Sequence, residues 1–269
     1  MATTFKKHHF RNWFMLILFS ISWSWAARTS AQEMRIDTEV FADGEETPLS
    51  HTVTLFDANA VFDFVDQTQQ IAIFRAPAKA HEGQFILLDL KTEKRTEIST
   101  ERLAGLIEKL SKWAAEQKDP LLKFSANPTF EETFDGESGK LTMQSELWTY
   151  EVATIPADDP NTLARYREFT DWSTQLNTLM NSSPPPGPRL ALNSALEKNG
   201  VVPVEIRRKV DASATSLRAV HLFSWRLSRE DRARLDEARR FLATFEKVGN
   251  EEFLAHQGKQ EIIRGQNGD

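Results

Sequence analysis

Between residues 34 and 98, short runs of β-branched and aromatic residues alternate with turn formers, a two-residue rhythm that predicts strands. Six strands follow from it, at 34–42, 52–56, 60–66, 70–75, 84–90 and 94–98. The breaks, such as Asp43-Gly44 and Lys91-Thr92-Glu93, are too short for a parallel return, which takes a dozen residues or more, so an antiparallel meander is expected. Phe85-Ile86-Leu87-Leu88 is apolar on both faces, which predicts a strand covered on both sides.

The rhythm then changes to helical. Leu103, Leu106, Ile107, Leu110, Trp113 and Ala114 fall on one face of a helix at 100–117, with Thr100 as its cap and Asp119-Pro120 as its end. Strands resume at 130–134 and 140–152 around a hairpin turn at 135–139. Apolar positions change parity along the second arm, from Leu141, Met143 and Leu147 to Trp148, Tyr150 and Val152, which predicts a bulge near Ser145 and Glu146. Asp158-Asp159-Pro160 then starts a helix at 160–181, bearing Leu163, Tyr166, Phe169, Leu176, Leu179 and Met180 inward. The proline cluster at 182–188 reads as a rigid surface loop inside one domain.

Beyond it a short helix at 190–198 closes at Asn199-Gly200, and a strand at 201–210 carries Pro203, which suits an edge or a strand start. The longest alternation of the chain, at 215–227, puts Leu217, Ala219, His221, Phe223, Trp225 and Leu227 on one face and Arg218 and Arg226 on the other. Ser228 caps a last long helix at 229–249, Asn250 caps a further turn with Phe253 and Leu254, and the polar tail at 257–269 is expected to be disordered. The fold class is α+β: a curved, half-barrel-like antiparallel sheet of nine or ten strands, with three main helices at 100–117, 160–181 and 229–249 packed on it, in a single domain spanning 32–256.

The first thirty-odd residues supply an address. Lys6, Lys7 and Arg11 precede an apolar run of fifteen residues at 13–27, and Arg28-Thr29-Ser30-Ala31 follows with small residues where a signal peptidase grips. Spanning a bilayer takes about 20 apolar residues, and Ser20, Ser22 and Ser24 interrupt this run, so a cleaved export signal at 1–31 is expected rather than a membrane anchor. Cleavage falls between Ala31 and Gln32, which leaves a periplasmic or extracellular protein with no transmembrane segment.

Composition narrows the partners. The chain has no cysteine, so no disulfide framework and no lipidated cysteine support it. Its 33 basic side chains against 39 acidic ones give −6, and the leader holds four of the basic ones and no acid, so the chain beyond it carries −10. That argues against nucleic acid, which wants a basic face.

Chemical motifs are few. Gly136-Glu137-Ser138-Gly139-Lys140 fails as a phosphate loop because Phe134 stands where its first glycine belongs and Leu141 where the magnesium hydroxyl belongs. A hairpin turn accounts for it. His51, His81, His221 and His256 have no ligand spacing, so neither a metal nor any other cofactor is expected. The paired acids Glu45-Glu46, Glu131-Glu132, Asp158-Asp159 and Glu251-Glu252 read as surface or cap residues. His221 beside Trp225 on an apolar strand face is either a buried, hydrogen-bonded histidine or a proton acceptor. Trp148, Tyr150 and Trp225 either fill the core or, with His221, line one face where an apolar ligand binds.

The layout of export signal, meander with Phe85-Ile86-Leu87-Leu88-Asp89-Leu90, amphipathic helix and the unit Leu196-Glu197-Lys198-Asn199-Gly200-Val201-Val202-Pro203-Val204-Glu205-Ile206 resembles exported bacterial proteins of the lipoprotein-carrier type. That resemblance implies a half-open barrel lidded by helices. It is one of organisation and carries over no functional residue; the chain departs from it in opening on a strand and ending on a long helix and tail. The expected function is a non-catalytic cell-envelope protein that binds an apolar, lipid-like ligand or a protein partner. The alternatives are a structural component without a pocket, and a hydrolase built on His221.

Overall fold

The computed structural model describes residues 33–77, 83–211 and 216–255. The expected leader with its Ala31–Gln32 cleavage point, His81, His256 and the polar tail at 257–269 lie outside the described residues.

The first meander comprises β1 Met34–Ala42, β2 Ser50–Phe56, β3 Val61–Val65, β4 Gln70–Arg75, β5 Gln84–Asp89 and β6 Lys94–Ser99. Helices α1 Thr100–Ala115 and α2 Pro120–Ala126 follow, then β7 Glu131–Asp135, β8 Lys140–Gln144 and β9 Trp148–Pro156. Helices α3 Pro160–Met180 and α4 Gly187–Lys198 lead into β10 Val201–Val210 and β11 Leu217–Ser224, and the chain continues through α5 Arg229–Thr244 and β12 Glu246–Lys247. A last helical stretch occupies 250–255.

All twelve strands form one open sheet, in the order β12-β6-β5-β4-β3-β2-β1-β11-β10-β9-β8-β7. The first meander runs outward from β1, a second runs from β7 to β11, and the antiparallel pairing of β1 with β11 welds them, with Thr38 opposite His221. Among the described residues only β12, beside β6, is parallel.

The helix-packed face of the first meander carries Met34, Ile36, Phe56, Phe74, Phe85 and Leu87 against Leu103 and Ile107 of α1 and Leu163, Tyr166, Phe169 and Leu176 of α3. On the opposite face, Val53, Leu55, Phe62, Phe64, Ile71, Ile73, Ile86 and Leu88 meet Leu235 and Ala238 of α5. Strand β5 is therefore covered on both sides, as its four consecutive apolar residues require. A third cluster joins Leu141, Met143, Tyr150, Val152 and Ile206 to Leu192, Ala195 and Leu196 of α4. On the other face of β9 to β11, Glu151, Ala153, Arg207, Lys209 and Leu222 are exposed.

The sheet has twelve strands rather than nine or ten for two physical reasons. Where a bulge was expected near Ser145 and Glu146, the chain reverses: Ser145 N–H donates to the Trp148 carbonyl at 3.0 Å, and Trp148 N–H donates back to Ser145 Oγ at 3.0 Å. The parity change is a hairpin, so Met143 lies opposite Tyr150 and Leu141 opposite Val152, all on one face. The bulge occurs instead in β10, where pairing with β9 shifts between Pro203 and Glu205. At the far edge, α5 stops at Thr244, five residues before the expected end, because the following segment pairs with β6 through Glu246 N–H to Glu93 O and Val248 N–H to Arg95 O.

Beyond the three main helices, α4 and the stretch at 250–255 match the short helices expected from sequence, and α2 is added because a cap can be read two ways. Asp119 accepts the N–H groups of Leu121 and Leu122 at 2.8 and 3.2 Å, so Asp119-Pro120 starts α2 as well as following α1. Ser99, not Thr100, caps α1, and the buried Thr100 hydroxyl donates to Gly83 O at 3.1 Å. Leu106 and Trp113 of the expected apolar face of α1 are 38% and 52% exposed.

Candidate functional site

A cavity of about 630 Å³ lies where the second meander meets α3. Its floor follows from strand alternation and register. Adjacent strands place Thr38 beside His221, Val40 beside Ala219 and Ala219 beside Ile206, Leu217 beside Arg208 and Arg208 beside Tyr150, and Val210 beside Trp148. Side chains two apart on a strand point the same way, so these pairings set the residues in rows across one surface.

The wall is the second half of α3. Thr170, Ser173, Thr174, Asn177, Thr178 and Asn181 recur at helical spacing and all line the cavity. Several hydroxyls spend their proton on the helix itself: Thr170 donates to Arg167 O at 3.0 Å, Ser173 to Thr170 O at 3.2 Å and Thr178 to Thr174 O at 3.0 Å. What they present to the cavity is a mildly polar surface without charge.

The roof is the proline-rich connection. Ser183, Pro184, Pro185, Pro186, Pro188 and Arg189 close over the floor, with Leu121 of α2 alongside. The segment is less of a surface loop than its composition predicts, since Pro185, Pro186 and Pro188 are buried. Gly187 allows the close approach: a Cβ there would collide with the Ser125 carbonyl oxygen and lie 2.8 Å from Pro128 Cδ.

Electrostatics single out a few groups. Thr38 Oγ1 and His221 Nδ1 are 2.9 Å apart, while His221 Nε2 is buried without a partner. Burial, helped by the charge of Arg189, pushes the His221 pKa down to about 3, so the imidazole is neutral. Burial raises the Tyr150 phenol, against the pull of Arg189, Arg208 and the Trp148 indole N–H; that N–H comes close without reaching hydrogen-bond geometry. Arg189 Nε donates to Asn193 Oδ1 at 3.1 Å, and Asn193 Nδ2 donates to Asp171 Oδ1 at 2.8 Å. The Arg208 guanidinium lies over the Trp148 ring, 5.4 Å from its centroid.

Of the four residues singled out from sequence, Trp148, Tyr150 and His221 come together on the cavity floor. Trp225 does not reach it. Strand β11 ends at Ser224, and the Trp225 indole stacks on Phe223 at 5.4 Å and packs against the main core. Leu227, expected on the same face as His221, belongs to the opposite core because the chain turns there into α5.

Sequence reasoning missed Arg189, Arg208 and the α3 wall. The wall had a legible signal: six uncharged polar residues on one helical face, too polar for core and too poor in charge for a solvated surface. Arg208 lacked one, since a strand arginine reads by default as solvent-facing.

Elsewhere the marked acids and the glycine-rich turn have structural roles. Asp159 caps α3, Glu132 meets Lys198 at 3.2 Å, and Asp135 closes the β7–β8 turn by accepting Glu137 N–H at 2.9 Å. Among the described residues no three metal-ligating side chains converge, and no helix is long and apolar enough to cross a membrane. The chain matches no protein-family model and no curated protein sequence, so its function is read from the cavity.

Proposed function

We propose that this protein is an exported, non-catalytic cell-envelope protein that binds an apolar, lipid-like molecule between its sheet and α3. The single observation carrying the proposal is the cavity itself. Its volume of about 630 Å³ falls within the range of roughly 300–1,000 Å³ in which small-molecule sites lie. Val40, Leu217, Ala219, Ile206 and the roof prolines give it an apolar floor and roof, which face the uncharged polar wall of α3. The expected half-barrel curvature of the sheet would suit such a ligand, as would export, which places the protein where lipids need transfer.

A hydrolytic reading has one point in its favour, the Thr38–His221 pair at 2.9 Å. Chemistry favours binding. An imidazole with a pKa of about 3 takes up a proton poorly at neutral pH, and no carboxylate lines the cavity to orient it.

Thermal unfolding with and without dodecanoate tests the proposal. A ligand at a hundred times its Kd adds about 2.7 kcal/mol, which raises Tm by roughly 5–10 °C for a domain of this size. Ala219→Phe puts a ring into the cavity from its floor and should abolish the shift while the protein still unfolds cooperatively. An unchanged Tm for the parent protein at saturating amphiphile would leave a structural role as the better reading.

A further inference from the structure

We infer that the ligand is an acidic amphiphile whose carboxylate sits between Arg189 and Arg208 while its apolar body lies along the strand floor. This rests on the proposed apolar-ligand site and specifies the ligand's charge.

The first observation is a charge asymmetry. Acidic side chains outnumber basic ones by 39 to 33 in the whole chain, yet the cavity lining contains two arginines and no aspartate or glutamate. The second concerns those arginines. Arg35, Arg95, Arg167, Arg207, Arg218, Arg232, Arg234 and Arg239 all lie within ion-pair distance of carboxylates. Among the described residues neither Arg189 nor Arg208 makes such a pair; Arg75, Arg102, Arg226, Arg229 and Arg240 also make none, but only Arg189 and Arg208 line the cavity. A guanidinium half-buried on a recessed, mostly apolar surface gains from an anion, because screening there is weaker than in open water.

Both are held in ways that leave donors over. Arg189 uses Nε on Asn193, which Asp171 holds in turn, so its terminal Nη groups remain for a ligand. Arg208 is steadied by its stack on Trp148. Arg208 stands opposite Tyr150 in the pairing of β9 with β10, and Arg189 enters the same cavity from its roof. A planar carboxylate matches the guanidinium fork and can accept two parallel N–H bonds.

His221 supplies a neutral donor. When Thr38 donates to Nδ1, the ring proton resides on Nε2, the buried atom without a partner. That donor would suit an anion, and an anion would also answer the two cations that line the cavity without a carboxylate partner there.

Titration calorimetry of the protein with dodecanoate, dodecanol, dodecylammonium and dodecyl phosphate, each below its micelle concentration, tests this. Dodecanoate should bind at least about tenfold more tightly than dodecanol, with dodecylammonium weakest. Arg189→Gln and Arg208→Gln, alone and together, should erase most of that preference, with cooperative thermal unfolding showing that the variants are folded. Equal binding of acid and alcohol overturns the acidic-ligand inference but keeps the apolar site. No binding of any amphiphile overturns both. A preference that survives the double substitution overturns the role of these arginines, and tighter binding of the phosphate overturns the choice of carboxylate.

Discussion

Lowering the pH should reveal the state of His221 in the fold. Its pKa is displaced from 6.5 to about 3, chiefly by burial and secondly by Arg189. Unfolding restores the ordinary value, so between pH 6.5 and 3 the unfolded chain binds a proton that the folded protein refuses. The contribution is fully present above pH 6.5 and is lost as pH falls, by about 1.4 kcal/mol per pH unit. At pH 5 the loss is about 2 kcal/mol, and a folded value of about 4 instead of 3 would leave that figure nearly unchanged, since both lie below pH 5. The parent protein and His221→Gln should be unfolded in urea at pH 7.5, 6 and 5. Carboxylates titrate alike in the two proteins, so they cancel in the difference, and the variant should gain about 2 kcal/mol on its parent between pH 7.5 and 5. Parallel loss of stability in both would refute the reasoning, as would an imidazole proton resonance of His221 titrating near pH 6.5.

Two further variants test other parts of the structure. Asp63 in β3 has its carboxyl raised to about 6 by burial, with the Thr54 hydroxyl donating to it at 2.6 Å and acting in the opposite direction. The folded protein holds the proton longer than the unfolded chain, so stability is lost as pH rises from about 4 through 6; Asp63→Asn should gain up to about 3 kcal/mol on its parent from pH 4 to 7.5, and an unchanged difference in urea melts would refute this. Gly187→Ala should cost about 1–3 kcal/mol by forcing α4 away from Ser125 and Pro128, read as a lower urea midpoint at constant m-value. The same variant should weaken dodecanoate binding, because Gly187 sits in the cavity roof between Pro186 and Pro188.

Much of the element order was legible because the signals are local. The alternation that gave 34–42, 70–75 and 201–210 is observed with those same bounds, and Asp159-Pro160 starts α3 as its cap chemistry requires. Errors fell where one local pattern has two physical solutions. A parity change at 145–147 fits a bulge or a reversal, and Asp-Pro can end one helix while beginning another. The aromatic residues show the same limit for the site. Trp148 and Trp225 look alike in sequence, yet one borders the cavity and the other stacks on Phe223, because only the point where β11 stops separates them.

By itself the sequence determined which segments alternate with period two and which with 3.6, where most caps and turns fall, that no disulfide is available, and that acids exceed bases. Each is a property of neighbouring residues or of their sum. Tertiary structure alone decided that β1 pairs with β11, that a polar stripe of α3 faces an apolar strand floor, and that Arg189 and Arg208 share the space between. A cavity is a mismatch between two packed surfaces, set by strand register and side-chain volume across residues as far apart as Thr38 and His221. No periodicity along the chain encodes that mismatch.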